Sequence, residues 1–195
     1  MNPDTIVAPA TPPGHGGVSL IRLSGPDSKS IAKKITGFNS LENRRSAFAS
    51  ILGKGGKIDD VIITFFKSPS SYTGEDVVEL SCHGNPIIVD QIISLVCNLG
   101  ARLADPGEFT KRAFLNGKLD LIQAESVSGL IGSKSAKAAE INQRVLSGAL
   151  SKILTILKET LIGVLAELEF EFDISEDDLF RPNLVQNSLN LINNN

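Results

Sequence analysis

Over roughly the first 118 residues the apolar positions fall in short runs and alternations. Beyond that point they recur every three or four residues, and this change of period divides the chain. Val18–Leu23 and Val61–Phe66 are short runs rich in Val, Ile and Phe, bounded by Gly and Pro as strands are. Lys54-Gly55-Gly56-Lys57 separates Phe48–Leu52 from Ile58–Phe66 and reads as a hairpin turn, because paired glycines supply positive φ. Val77–Cys82 alternates, with Val77, Glu79 and Ser81 on one face and Val78, Leu80 and Cys82 on the other. Asn85-Pro86 then opens a helix: Asn caps it, and Pro takes the first turn, where a missing N–H is harmless. Ile88, Ile92, Leu95, Val96 and Leu99 share one face of that helix, and Gly100 ends it. The pattern predicts an α+β N-terminal domain over residues 1–118, a small mixed or antiparallel sheet with flanking helices.

The second pattern is helical throughout. Asp120 is placed to cap Leu121–Ile131, and Ser133 or Ser135 to cap a much longer helix running to about Phe170. Ile141, Val145, Ala149, Ile153, Ile156, Val164 and Leu168 form its apolar stripe. So long a stripe cannot be buried inside a small domain, so residues 119–180 read as a long-helix all-α portion that wants partner helices. Residues 181–195 contain six asparagines and read as a linker or a poorly ordered end.

Composition narrows the class. With 42% hydrophobic residues and 5% aromatics in 195 residues, the core is expected to be aliphatic and large enough to need no staples. Cys82 and Cys97 have no metal-ligand spacing and form no disulfide framework, which suits a reduced, cytoplasmic compartment. The start is polar and reaches Pro9, Pro12 and Pro13 quickly, unlike a signal peptide, and no apolar run has the length of a membrane span. Net charge is −3, and the 19 basic residues are scattered, so a chain that grips nucleic-acid phosphates by itself is not expected.

Several apparent motifs carry no chemistry. Gly129-Leu130-Ile131-Gly132-Ser133-Lys134-Ser135 lacks the G-x-x-x-x-G-K-[ST] spacing of a phosphate loop and follows a helix instead of a strand. Gly14-His15-Gly16-Gly17 precedes a strand and reads as a turn. His15 is given no role, His83 reads as structural or as part of the helix start, and both cysteines read as core thiols. Seven of the 22 acidic residues crowd into Glu167–Asp178, a solvated helix end rather than a metal site. Three charged residues stand out. Glu79 is a strand carboxylate that either faces solvent or accepts paired N–H bonds from a ligand edge. Arg22 sits in an otherwise apolar strand and needs an anion, from the protein or from a ligand. Lys118 follows Asn116-Gly117, a helix C-cap pair, where a cation also suits the helix-end carbonyls.

The string Pro106-Gly107-Glu108-Phe109-Thr110-Lys111-Arg112-Ala113-Phe114-Leu115-Asn116-Gly117-Lys118-Leu119-Asp120-Leu121, followed by Gln123-Ala124-Glu125, is too specific for composition to explain. With Thr5-Ile6-Val7-Ala8, Ala10-Thr11-Pro12-Pro13-Gly14 and Tyr72-Thr73-Gly74-Glu75-Asp76-Val77-Val78-Glu79-Leu80, it resembles the N-terminal part of the MnmE (TrmE) family of tRNA-modification GTPases. The resemblance runs over roughly residues 4 to 178 in the family's order. It implies an aminomethyltransferase-like folate-binding and dimerisation domain over 1–118. The first part of a helical domain would follow over 119–180, and the tail would lead towards a GTPase domain whose motifs are missing here. It also implies 5-formyltetrahydrofolate as the bound cofactor, with Arg22, Glu79 and Lys118 matching the family's folate-contacting residues. No catalytic residue or metal ligand is expected in this chain. GTP, Mg and K belong to the GTPase domain, so no GTP turnover is expected here. The implied partners are a second copy, the FAD protein MnmG, and tRNA held by the intact complex and only weakly by this chain. Two other readings stay open: a ligand-free dimerisation module, or a folate-dependent aminomethyltransferase relative.

Overall fold

The computed structural model describes residues 4–53 and 55–173. The chain divides into two compact units, with the division between Leu119 and Asp120.

The first unit is built on one six-stranded sheet. Its strands are β1 (Ile6–Pro9), β2 (Gly16–Ser24), β3 (Ser46–Gly53), β4 (Gly56–Phe66), β5 (Val77–Gly84) and β6 (Arg102–Leu103), in the spatial order β3-β4-β5-β2-β1-β6. All pairs are antiparallel except β1 with β6, so the sheet is mixed as expected. The expected hairpin is β3–β4, paired from Gly53 and Gly56 outwards; Lys54 in its turn lies outside the described residues.

Cross-strand partners share a face, so the register sorts the side chains. Ala47, Ile63, Leu80 and Ile21 form one row, and Phe65, Val78 and Leu23 form another on the same face. Those rows are the core, covered by α1 (Ser28–Thr36) through Ile31 and Ile35 and by α2 (Pro86–Asn98) through Val89, Ile92 and Val96. Asn85 caps α2, its side chain accepting from the N–H of Ile87, with Pro86 in the first turn. On the opposite face the rows are Phe48, Ile62, Ser81 and Leu20, then Ser46, Thr64, Glu79, Arg22 and Ala8. Phe48 is 70% exposed and Ile62 50%, so this face is open at the β3–β4 end. A third helix, α3 (Glu108–Leu115), brings Phe109 over Arg22 on that face.

The second unit is helical. Asp120 caps α4 (Leu121–Ile131) in a reciprocal capping box with Gln123. One expectation needs correcting: the single helix from Ser133 or Ser135 to about Phe170 is two helices. Ser135 caps α5 (Ala136–Leu146), and α6 (Ala149–Asp173) starts afresh. The break is Ser147-Gly148. Gly148 has φ +87, a left-handed conformation that ends a helix, while the N–H groups of Ser147 and Gly148 close back onto Gln143 and Val145. The apolar stripe continues across this break, which is why periodicity alone misses it. On α6, Leu154, Leu157, Leu161, Ile162 and Leu165 line an open apolar groove. The acidic run Glu167–Asp178 extends beyond the described residues, and the Asn-rich segment 181–195 lies wholly outside them.

Candidate functional site

Residues 22 and 79 stand directly opposite each other on β2 and β5, so their side chains emerge side by side on the open face. Arg22 Nε donates to Glu79 Oε1 at 2.9 Å, and Nη2 stands 2.7 Å from the same oxygen as an ion pair. Each side chain is 23% exposed, so the pair is shielded enough for the charges to matter to each other, yet solvent reaches it. Glu79 Oε2 takes no donor among the described residues. The carboxylate therefore keeps a free acceptor on the open face, beside the oxygen that holds the arginine.

The guanidinium of Arg22 also lies over two aromatic rings. Its central carbon is 5.3 Å from the centroid of Tyr72 and 5.8 Å from that of Phe109. Tyr72 comes from the β4–β5 connection and Phe109 from α3, and the hydroxyls of Tyr72 and Thr110 are 2.9 Å apart, tying connection to helix. The connection is held from within: Ser68 N donates to Asp76 Oδ1 and Ser68 Oγ to Gly74 O. Asn116 Nδ2 donates to Thr73 O, anchoring the same loop to the end of α3.

Lys118 reaches the loop from that helix end. Its Nζ donates to Pro69 O at 3.2 Å, and its stem packs against Gly74, whose φ of +80 favours glycine. Two of the three residues singled out in the sequence are thus in direct contact. The third lies against the loop that carries Tyr72, and it is not bonded to the pair among the described residues.

A second cluster escaped sequence reasoning. Glu108, at the start of α3, accepts from Arg102 Nη2 at 2.7 Å, Arg102 Nη1 at 3.0 Å, Arg112 Nη2 at 3.0 Å and the Asp105 N–H at 2.8 Å. Arg112 continues to Asp4 at 2.6 Å and to Glu75 at 3.2 Å, and Ser24 donates to Glu75 at 2.6 Å. The donation from Arg102 and the further bonds hold the Glu108 carboxyl far below the usual range, at about 2, although burial opposes this. Asp4 is likewise lowered, first by Arg102 and then by Arg112. Asp4, Glu75, Arg102, Glu108 and Arg112, with Lys111, line a cavity of about 610 Å³. Every carboxylate in the Asp4–Glu75–Glu108 set is already paired, so the cluster braces α3 against β6, the residue Asp4 ahead of β1, and the β4–β5 connection. The only local signal was the four-residue spacing of Glu108 and Arg112.

The remaining candidates are structural. His83 is fixed by Asp59, which takes its backbone N–H at 2.8 Å and stands 2.7 Å from Nδ1, just before the Asn85 cap. Cys82 is buried in the core and its thiol is pushed up by desolvation; Cys97 is partly buried. Among the described residues no three His, Cys, Asp or Glu side chains converge as a metal site, and no helix is long and apolar enough to cross a membrane.

The family model described as the GTP-binding protein TrmE N-terminus matches residues 5–118, and the MnmE helical domain model matches residues 121–195. A protein named tRNA modification GTPase MnmE from Thermotoga maritima is 47% identical over 175 residues, covering 89% of this chain and 39% of that protein. Proteins of the same name from Pseudothermotoga lettingae and Bdellovibrio bacteriovorus are 44% and 45% identical, covering 96% and 94% of this chain. The chain spans about two-fifths of the length of these relatives, 42% and 40% in the last two.

Proposed function

This chain belongs to the MnmE family of tRNA-modification GTPases, and from that premise we propose that its sheet unit binds a reduced folate, 5-formyltetrahydrofolate, on the open face. The observation that carries the proposal is the Arg22–Glu79 pair: a shielded carboxylate with one oxygen free, set beside a guanidinium and two aromatic rings. With Oε1 given up by Arg22, Glu79 receives the paired N–H groups of the pterin edge, a bidentate, charge-assisted contact that is both strong and geometrically selective. Arg22 and Lys118 meet the ligand's anionic and carbonyl oxygens. The bound folate supplies a one-carbon unit; the residues of this chain hold and orient it.

The same open face supports pairing with a second copy. Phe48 and Ile62 form an exposed apolar row directly beside the row that holds Arg22 and Glu79. In the intact protein, the folate-loaded dimer would work with the FAD protein MnmG on C5 of the tRNA wobble uridine, in the cytoplasm. GTP hydrolysis belongs to a domain whose phosphate loop is not in this sequence, so this chain alone turns over no GTP.

A ligand-free dimerisation module is the second reading. It is favoured by the fact that Glu79 Oε1 is already taken by Arg22 and that Lys118 already donates to Pro69. An aminomethyltransferase relative is disfavoured by the match of residues 121–195 to the MnmE helical domain. Calorimetric titration of the chain with 5-formyltetrahydrofolate, beside a Glu79→Gln variant, separates the first two. Saturable binding that weakens more than about tenfold in the variant supports the folate site. A folded dimer that binds no folate leaves the scaffold reading.

A further inference from the structure

Arg22 does more than neutralise Glu79. Its Nε donates to the carboxylate while its central carbon lies over the rings of Tyr72 and Phe109. A 2-amino-4-oxo-pteridine docked by its N–H edge on Glu79 would occupy the same place, a flat group bonded to the carboxylate and within reach of the same two rings. From this likeness, and resting on the folate reading above, we infer that Tyr72 and Phe109 are the stacking walls of the ring site. Arg22 holds the ring's place in the ligand-free chain. Arrival of the ligand transfers Glu79 from the guanidinium to the ring edge and frees Arg22 for the ligand's anionic groups.

Three features support this assignment. Tyr72 is 39% exposed, so its ring is not core and has surface to offer a ligand. Its orientation is nonetheless fixed, because the Tyr72 hydroxyl is held at 2.9 Å by Thr110, one residue beyond Phe109 on α3. The backbone of α3 is in turn braced by Glu108 and Arg112, so both rings are set in advance of binding. Stacking rings add affinity beyond their buried area, and a planar cation over them uses the same faces that a heteroaromatic ring would.

The chain provides its own reporter. Tyr72 is its one tyrosine and it has no tryptophan, so the intrinsic emission comes from Tyr72 alone. The test is a titration of the full chain with 5-formyltetrahydrofolate followed by tyrosine emission and by calorimetry. Free N-acetyltyrosinamide serves as the absorbance control, and the variants are Tyr72→Phe, Tyr72→Leu, Phe109→Leu and Glu79→Gln. Expected are quenching that saturates with the calorimetric signal, affinity within about twofold of the parent in Tyr72→Phe, and affinity at least about fivefold weaker in both leucine variants. Leucine keeps bulk and removes the π-face, and unchanged thermal unfolding of each variant shows that the fold is intact. Equal loss in Tyr72→Phe and Tyr72→Leu would overturn the stacking role in favour of the hydroxyl bond. Parent-like affinity in both leucine variants, with loss only in Glu79→Gln, would overturn the aromatic walls and leave the folate site standing. Absence of binding by the parent chain would remove the folate reading itself.

Discussion

Arg22 and Glu79 are 57 residues apart in sequence and 2.7 Å apart in space, because β2 and β5 place them at one register position on the open face of the sheet. The hairpin β3–β4 lies between them in the chain but outside them in the sheet. This ion pair is partly exposed, and partly exposed pairs contribute little to folding, on the order of 1 kcal/mol or less. A group kept mainly for binding should therefore be removable without unfolding the protein. Glu79→Gln is expected to change unfolding free energy by no more than about 1 kcal/mol while weakening 5-formyltetrahydrofolate by more than about tenfold. Denaturant unfolding and calorimetry on the same preparation check this. A large stability loss with unchanged affinity would make the pair structural.

Acid should act through Glu108. Its carboxyl is held at about 2, well below the usual value of 4.5, and its side chain is 11% exposed. A carboxylate lowered by folding contributes stability that is complete above its unfolded value and is lost as pH falls through its folded value. The window is therefore about pH 4.5 down to about pH 2. Because Arg102 is half exposed, the contribution is on the order of 2 kcal/mol. Glu108→Gln should be less stable by roughly that amount near neutrality and should lose less on acidification than the parent. Parallel pH profiles for the two proteins would show that the carboxylate is not what holds α3.

Much of this fold was legible in local chemistry. Asp120 with Gln123, Asn85 with Pro86, and the glycine pair between β3 and β4 are signals complete within a few residues, and the structure uses each one. Arg22 and Glu79 were visible as charges out of place in apolar strands, but their pairing depended on a long-range register that no local pattern encodes. Tyr72 and Phe109 gave no signal, since a single aromatic in a loop or on a short helix looks like ordinary packing. Asp4 and Arg102 come together only because β1 and β6 pair in parallel, and β6 has two residues, too few to show a period. Lys33, Lys34 and Thr36 obscured α1, whose buried face is only Ser28, Ile31, Ala32 and Ile35.

The glycines at 16 and 84 face each other across β2 and β5, and only one of them is sterically required. A Cβ on Gly84 would lie 2.5 Å from Gly16 O and 2.8 Å from Gly16 C, and both are backbone atoms that cannot swing away. A Cβ on Gly16 would meet nothing within 4 Å. Gly84→Ala is thus expected to destabilise by about 2–3 kcal/mol, as overpacking does, and Gly16→Ala by less than about 0.5 kcal/mol. Comparable unfolding midpoints for the two variants would mean that β2 and β5 separate more easily than their register implies.

Gly148 decides whether α5 and α6 are two helices or one. At φ +87 an L side chain is strained by about 1 kcal/mol, because its Cβ crowds the following carbonyl. If the break is intrinsic to the folded unit, Gly148→Ala lowers stability by about that amount, and Gly148→Asn lowers it less, since asparagine tolerates the left-handed region better. If the stripe from Val145 through Ala149 and Ile153 preferred a continuous helix, alanine would instead be neutral or stabilising, because it is the better helix former. Thermal unfolding followed by far-ultraviolet circular dichroism distinguishes these outcomes. A gain in helical signal together with a higher midpoint in Gly148→Ala would restore the single long helix that the apolar period predicts.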